Sequence, residues 1–365
     1  MNEYTMLNVG CGSTYHQDWV NVDLVSDSKD VIEMDIRKGL DFPNESFDVV
    51  YCSHILEHLR PEKGEEFIKE MLRVLKPNGI IRVVVPNLET IVKNYLYYKK
   101  RVEENYNPYD EANYDWSMLE MFDQIVREYP GGNMVKFMLN ENIVNKDFIF
   151  ERWGWQAEQI YSLHKENDLL LDFCKDKKVV IFGAGSYGKK VKQALKKAGI
   201  EIFGFIDNDI QKQGMFFEDK MIYNLDEVIA DNIFIVVASS WWRSIEEQLI
   251  SKNMENGIHF FIENREIEVI IEDKKITETY EYIEKKLGLE YAEIFKKSLF
   301  RNRGEVHYWM YDSFSLQRLL KKYGVNFSKI CNSDESEIPN FNLFNLDTID
   351  GVTRKPDSLF IEGIK

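Results

Sequence analysis

Cysteine is scarce and scattered. The four in 365 residues are Cys11, Cys52, Cys174 and Cys331. None forms a C-x-x-C pair, so neither a disulfide framework nor a cysteine-built metal site is expected. No apolar run approaches the ~18 residues a membrane helix requires, so no membrane span is expected. Met1 to Gly10 lacks the charged segment and apolar stretch of a secretory leader. The expectation is a reduced, cytoplasmic protein. Positive charge is also short: 46 Lys and Arg face 62 Asp and Glu, a net charge of −16. Nucleic-acid binding relies on basic faces that neutralise phosphates. No such face is foreshadowed, so no nucleic-acid partner is expected.

What is present is globular. Hydrophobic residues make up 44% and aromatics 13%, which argues against disorder. At about 150 residues per domain the length implies two domains. The first 90 residues alternate strand and helix signals. Thr5–Val9, Trp19–Leu24, Val31–Ile36, Phe47–Cys52 and Ile80–Val85 read as strands. Glu65–Leu75 has helical spacing, and Pro77-Asn78-Gly79 reads as a turn. Residues 87–150 read as helices and loops. Gln156–Cys174 reads as an amphipathic helix. A second strand–glycine–helix unit starts at Lys178, with strands at Val179–Phe182, Ile202–Ile206 and Ile233–Ala238. Its helices are Gly188–Ala198 and Ser244–Lys252. Two helices broken at Gly288 come next. The end of the chain reads as a helix (Ser315–Tyr323), a strand (Val325–Cys331) and a last strand (Ser358–Ile364). Strands alternating with helices imply parallel sheets covered on both faces.

Two constellations carry chemistry. In the first, Leu7-Asn8-Val9-Gly10-Cys11-Gly12 runs a strand into a G-x-G turn, where glycines admit close backbone approach and positive φ. Asp23 ends the second strand, where a carboxylate can accept both hydroxyl protons of a ribose. Asp35 closes the third strand, in position to accept from an adenine amino group. Three such features in register on successive strands outweigh a lone G-x-G.

The run Leu7–Pro86 resembles the class I S-adenosylmethionine-dependent methyltransferases. It does so through Asn8-Val9-Gly10-Cys11-Gly12, Asp23, Phe47–His58 and Leu72–Gly79. A subgroup found among surface-polysaccharide genes is resembled by Met121–Arg127 with Gly131-Gly132, by His307–Asp312, by Ile338-Pro339-Asn340, and by Arg354–Leu359. By position, the resemblance implies that Asn8, Gly10, Cys11 and Gly12 lie at the methionine part of the cofactor. Asp23 would hold the ribose, Asp35 and Ile36 would flank adenine, and Ser53 would face the cofactor. His54 and His307 are the candidate catalytic bases, while His58 is expected to pack or cap. Tyr311, Arg354 and Lys355 are the candidate acceptor-binding residues, the last two for a phosphate or carboxylate. Two departures stand out. The acid usual two residues before the first glycine is Asn8, and the third glycine position is Thr14. No metal is implied. Trp116, Trp153 and Trp155 suit a packed lid or a sugar-stacking face.

The second constellation is Gly183-Ala184-Gly185-Ser186-Tyr187-Gly188, a full G-x-G-x-x-G between strand and helix, with Asp207 ending the next strand. Gly183 would make the turn, Gly185 admit a diphosphate and Gly188 let helix and strand pack. With Gly-Phe-Ile-Asp-Asn-Asp at 204–209, residues 176–265 resemble the small Rossmann-like domain at the front of sugar-modifying acyltransferases. That resemblance implies a nucleotide or nucleotide-sugar ligand at Gly183, Gly185, Ser186, Gly188 and Asp207.

The expected fold is α/β, with two Rossmann-like doubly wound sheets, the second inserted in the first. Residues 1–150 and 304–365 would form the methyltransferase domain and 176–265 the insert. Residues 151–175 and 266–303 would be helical connections. The expected activity is methyl transfer from S-adenosylmethionine to a sugar hydroxyl, nucleotide-linked or glycan-linked, in polysaccharide synthesis. Its partner would be a small-molecule or glycan substrate. A bifunctional enzyme with a nucleotide-sugar reductase or epimerase site, and a non-catalytic nucleotide-binding protein, are the alternatives. The sequence leaves the oligomeric state open.

Overall fold

The computed structural model describes residues 4–25, 28–162, 174, 177–197, 199–229, 233–239, 242–256, 258–262, 274–302 and 304–365. Most of the amphipathic run read at Gln156–Cys174 and the first part of the 266–303 connection lie outside these. The chain divides into two compact units, Met1–Ile160 with Glu278–Lys365, and Tyr161–Thr277. Among the described residues, no helix is long and apolar enough to cross a membrane. The fold is mixed α/β, with two largely parallel sheets.

Strands are numbered along the whole chain. The first unit holds β1 (Met6–Val9), β2 (Val20–Asp23), β3 (Val31–Glu33), β4 (Phe47–Ser53) and β5 (Leu75–Pro86). Across its second segment lie β12 (Phe327–Cys331), β13 (Thr348–Ile349), β14 (Val352–Thr353) and β15 (Ser358–Ile364). The main sheet has the order β12-β15-β5-β4-β1-β2-β3. Only β15 runs against its neighbours, antiparallel to both β5 and β12. Strands β1, β4 and β5 are apolar on both faces because both faces are covered. One face packs on helix α1 (Pro61–Val74) through Phe67, Ile68, Met71 and Leu72, and on helix Ser313–Lys322 through Leu316 and Leu320. The other face presents Tyr51 and Phe360 and is covered by Trp19, Phe341 and Phe344 from the connecting segments.

The turn read at Pro77-Asn78-Gly79 proves to be an excursion inside β5. Leu75 pairs with Phe47 and Ile80 with Val49, so the extra residues bulge out between those pairs. Asn78 takes φ 62° there. A Cβ on Gly79 would lie 2.9 Å from the Asp48 carbonyl oxygen, which keeps that position to glycine.

A buried ionic network fastens the C-terminal segment to the sheet. Arg82 on β5 is fully buried and pairs with Asp347 and Glu362, each at 2.7 Å. Its remaining donors reach the carbonyls of Asn332 and Glu335, and the Tyr51 hydroxyl donates to Asp347 at 2.6 Å. After β5 come helices α2 (Leu88–Glu104), α3 (Pro108–Val126), α4 (Gly132–Met138) and α5 (Lys146–Trp153). Asn87 and Asn107 cap the first two. Trp116 and Trp153 are buried in this helical core, with ring centroids 5.1 Å apart, which makes them packing residues.

The second unit contains β6 (Lys178–Phe182), β7 (Gly204–Ile206), β8 (Phe216–Phe217), β9 (Lys220–Tyr223), β10 (Ile233–Val237) and β11 (Phe260–Ile262). Its sheet order is β11-β10-β6-β7-β9-β8, parallel except at β8. Strand order reverses around β6, which puts the glycine turn after β6 at a topological switch point.

Candidate functional site

The first turn leaves β1 at the carboxyl edge of the sheet. The links from β1 to β2 and from β2 to β3 contain no helix among the described residues. Side chains hold the turn instead. Asn8 is buried, and its amide donates to the Thr14 carbonyl (3.0 Å) and to Asn21 Oδ1 (3.2 Å). Asn21 in turn donates to the carbonyls of His16 and Trp19, both at 2.9 Å. Asn8 thus spends its amide N–H groups on the Thr14 carbonyl and the Asn21 side chain, donors that a carboxylate at this position would lack.

Gly10 and Gly12 take φ of 69° and 52°. A Cβ on Gly10 would sit 2.3 Å from Ile55 Cδ1, whereas one on Gly12 meets nothing within 4 Å. The Asp23 carboxylate accepts from the N–H groups of Gly12 and Leu24, each at 2.6 Å. Cys11 is buried, and burial with Asp23 nearby pushes its thiol up to about 12, so it stays protonated. Asp35 caps the short 3-10 turn Ile36–Lys38, and Ile36 packs against the core. Its hydrogen bonds from Arg37 hold the Asp35 carboxyl at about 2. Gly10–Gly12, Asp23 and Asp35 thus stand at the carboxyl ends of three adjacent strands.

Ser53 ends β4, and His54 comes next in the left-handed region at φ 55°. Holding a non-glycine residue there costs on the order of 1–3 kcal/mol. His54 Nε2 lies 2.9 Å from Ser358 Oγ, and its Nδ1 lies 3.0 Å from Glu57 Oε1. Glu57 is fully buried, and burial pushes its carboxyl above the usual range. His307 comes from a distant part of the sequence to stack edge-on against His58, with ring centroids 4.7 Å apart. Burial holds His54 and His307 well below the usual histidine range, so both imidazoles are neutral at pH 7. Neutral is the right form for a base, but a depressed pKa makes a weak one.

The other predicted contacts divide. Arg354 donates to the Thr14 hydroxyl and, at 3.1 Å, to the Leu346 carbonyl, so it reaches the glycine turn itself. Lys355 is half-buried, and burial lowers its pKa while Asp357 opposes the shift. Tyr311 is only 5% exposed and belongs to the core, with its hydroxyl against Gly64 of α1. That burial gives it a packing role. Sequence reasoning missed Glu57, which sits beside the histidine it singled out, and Ser358, visible only once β15 is paired with β5. A cleft of about 440 Å³ opens beside Ser358, lined by Asn87, Asn332, Ser333, Thr353 and Pro356.

Residues 7–83 match the family described as "Methyltransferase domain". That span contains the glycine turn, Asp23, Asp35 and the His54–His58 segment. Residues 7–83 form a methyltransferase domain. The chain is 42% identical over 50 residues to a probable methyltransferase, ltbC, of Aspergillus luteorubrus. That match covers 13% of this chain and 18% of the relative, so the chain spans under a fifth of that relative's length. Among solved structures, a SAM-dependent methyltransferase from Archaeoglobus fulgidus is 22% identical, covering 26% of this chain and 50% of that one at a TM-score of 0.21. An S-adenosylmethionine-dependent methyltransferase from Mesorhizobium loti is 18% identical, covering 23% and 47% at 0.19. The methyltransferase domain's sheet continues beyond the matched span, through β5 into the antiparallel β15 and then β12.

Residues 175–259 match the family described as "C2185-like, N-terminal". In this unit Gly183 takes φ 126°, and a Cβ there would lie 2.3 Å from the Ala238 carbonyl oxygen. A Cβ on Gly188 would lie 1.9 Å from the Gly183 carbonyl oxygen, while Gly185 has nothing within 4 Å. Ser186 begins the helix Ser186–Lys197. Asp207 accepts from the Ala184 N–H at 3.1 Å and pairs with Lys212 at 2.9 Å.

Proposed function

We propose that the first unit transfers the methyl group of S-adenosylmethionine to a sugar hydroxyl, nucleotide-linked or glycan-linked, in surface-polysaccharide synthesis. The observation that carries the cofactor assignment is the Asp23 clamp. One carboxylate fixes the N–H groups of Gly12 and Leu24 and keeps lone pairs for a ribose diol. Asp35 and Ile36 flank adenine, Gly10, Cys11 and Gly12 border the methionine part, and Ser53 faces the sulfonium side.

The reaction asks for alignment more than for a strong base. The S–CH3 bond breaks as the O–CH3 bond forms, its electron pair returns to sulfur, and the hydroxyl proton passes to solvent. Holding donor and acceptor in line supplies most of the rate gain. The polar lining of the cleft at Ser358 suits a hydroxylated acceptor, and Arg354 with Lys355 suits a phosphate or carboxylate on it. The resemblance of the C-terminal motifs to polysaccharide-locus enzymes supports the acceptor class. For the second unit, open space over Gly185 and the helix beginning at Ser186 suit a nucleotide-containing ligand.

The test is methyl transfer from labelled donor to a panel of nucleotide sugars and glycan fragments, with products read by mass spectrometry. A methylated sugar that forms with the wild type and is lost in Asp23→Ala supports the reading. With amines and nucleic acids added to the panel, methylation of those alone would overturn the acceptor class.

A further inference from the structure

We propose that Glu57, His58 and His307 bind a divalent first-row transition cation at the carboxyl end of β4, where it can hold the acceptor hydroxyl. One donor atom from each of these side chains lies within 4.8 Å of the other two. Glu57 is fully buried, and neither carboxylate oxygen has a hydrogen-bond partner. His54 Nδ1 is near at 3.0 Å but outside hydrogen-bonding geometry. His307 is 3% exposed, and its Nδ1 is also without a partner. Buried polar groups are nearly always satisfied, because leaving them bare costs the full desolvation penalty. Here Glu57 and His307, each with a bare polar atom, belong to one cluster with His58.

The third ligand has its tautomer set. His58 Nδ1 lies 3.2 Å from the Val306 carbonyl, which can only accept, so Nδ1 carries the proton and Nε2 keeps its lone pair. The backbone around the site is held from behind. Tyr308 N–H donates to the Glu57 carbonyl at 2.8 Å, and His307 N–H to the Gln124 carbonyl at 3.0 Å. Arg127 pairs with Asp123 and Glu305, each at 2.7 Å, and ties the segment entering His307 to α3. This also gives Gly132 its reason, because a Cβ there would collide with Asp123 Oδ2.

Two imidazoles and one carboxylate suit zinc, manganese, iron or cobalt better than calcium or magnesium, which prefer oxygen ligands. Three protein ligands leave room for a water or a substrate oxygen. A hydroxyl bound there loses its proton more readily. The methyl then passes from sulfur to that oxygen, and the proton goes to solvent. This catalytic role rests on the methyl-transfer reading, whereas cation binding does not. The competing account is an ion pair between Glu57 and His54, whose Nδ1 lies 3.0 Å from Oε1.

The experiment uses the full chain, free of any histidine tag, treated with chelator and dialysed, then titrated with Co2+ alone. Calorimetry and the visible cobalt absorption are both followed. One equivalent should bind, with a spectrum that Zn2+ displaces. Glu57→Gln and His307→Gln should each weaken binding at least tenfold, with melting temperatures checked in the absence of metal. His16→Gln, outside the cluster, should bind like the wild type. No saturable binding to the wild type, or unchanged affinity in both cluster variants, would overturn the inference and favour the ion-pair account. S-adenosylhomocysteine is titrated into the same samples. Its binding without cobalt binding refutes the metal site alone, and the reverse refutes the cofactor assignment alone.

Discussion

The two glycine turns share a signature but lead into different chain. After Gly183 the chain enters the helix Ser186–Lys197 at once, so backbone N–H groups and the positive end of a helix dipole face the strand edge. After Gly10 no helix forms before β2, and a carboxylate and two buried amides organise the loop. A helix N-terminus favours anions, so the second turn is built like a phosphate site. Both turns set an acid against a loop N–H, Asp207 at Ala184 and Asp23 at Gly12, but the first has no helix dipole beside it. That arrangement suits a ligand with a diol and a sulfonium cation and no phosphate. A G-x-G after a strand therefore says little about ligand class until the next ten or so residues are known.

The comparison breaks most sharply at Gly188. A Cβ there would meet a backbone carbonyl at 1.9 Å, which no side-chain rotation relieves. Gly188→Ala should unfold the second unit, and Gly185→Ala should leave its stability unchanged. Separate unfolding transitions in limited proteolysis would show this, and equal effects would refute the packing account.

Next in size is the buried pairing that fastens the C-terminal segment to the first sheet. Arg82→Leu strands two carboxylates, Asp347 and Glu362, and should cost about 3–5 kcal/mol. Chemical denaturation would report it. Asn21→Ala removes the amide that holds the His16 and Trp19 carbonyls. It should cost about 1–3 kcal/mol and weaken cofactor binding as the loop loosens.

The last effect is electrostatic. Burial pushes the Glu120 carboxyl up to about 7, although Arg152 pulls the other way. In the unfolded chain it titrates near the ordinary value of 4.5. The raised folded pKa means that its stabilising contribution is full below about pH 4.5 and is lost as pH rises through about 7. Glu120→Gln should flatten the pH dependence of the melting temperature across that window. An unchanged profile would assign the dependence to other groups.

Local pattern made the sheets legible. The apolar runs ending in Gly10-Cys11-Gly12, Asp23 and Gly183 mark β1, β2 and β6. The Ser358–Ile364 strand matches its observed bounds. What local pattern could not show was long-range. Tyr311 looked available but is buried behind α1. Glu57 carries no local signal of its own in the sequence, yet it groups with His58 and with His307 from a distant segment. Pro77-Asn78-Gly79 has turn chemistry, but its neighbours pair with β4 on both sides, and sheet pairing overrode the local preference.

The most direct measurement is calorimetric titration of S-adenosylhomocysteine into the wild type, Asp23→Ala and Gly185→Val. The wild type should bind one equivalent. Asp23→Ala should lose at least tenfold in affinity, about 1.4 kcal/mol, while keeping its fold. Gly185→Val should bind like the wild type. Undiminished binding in Asp23→Ala, or loss in Gly185→Val with the fold intact, would contradict a cofactor site at the helix-less turn.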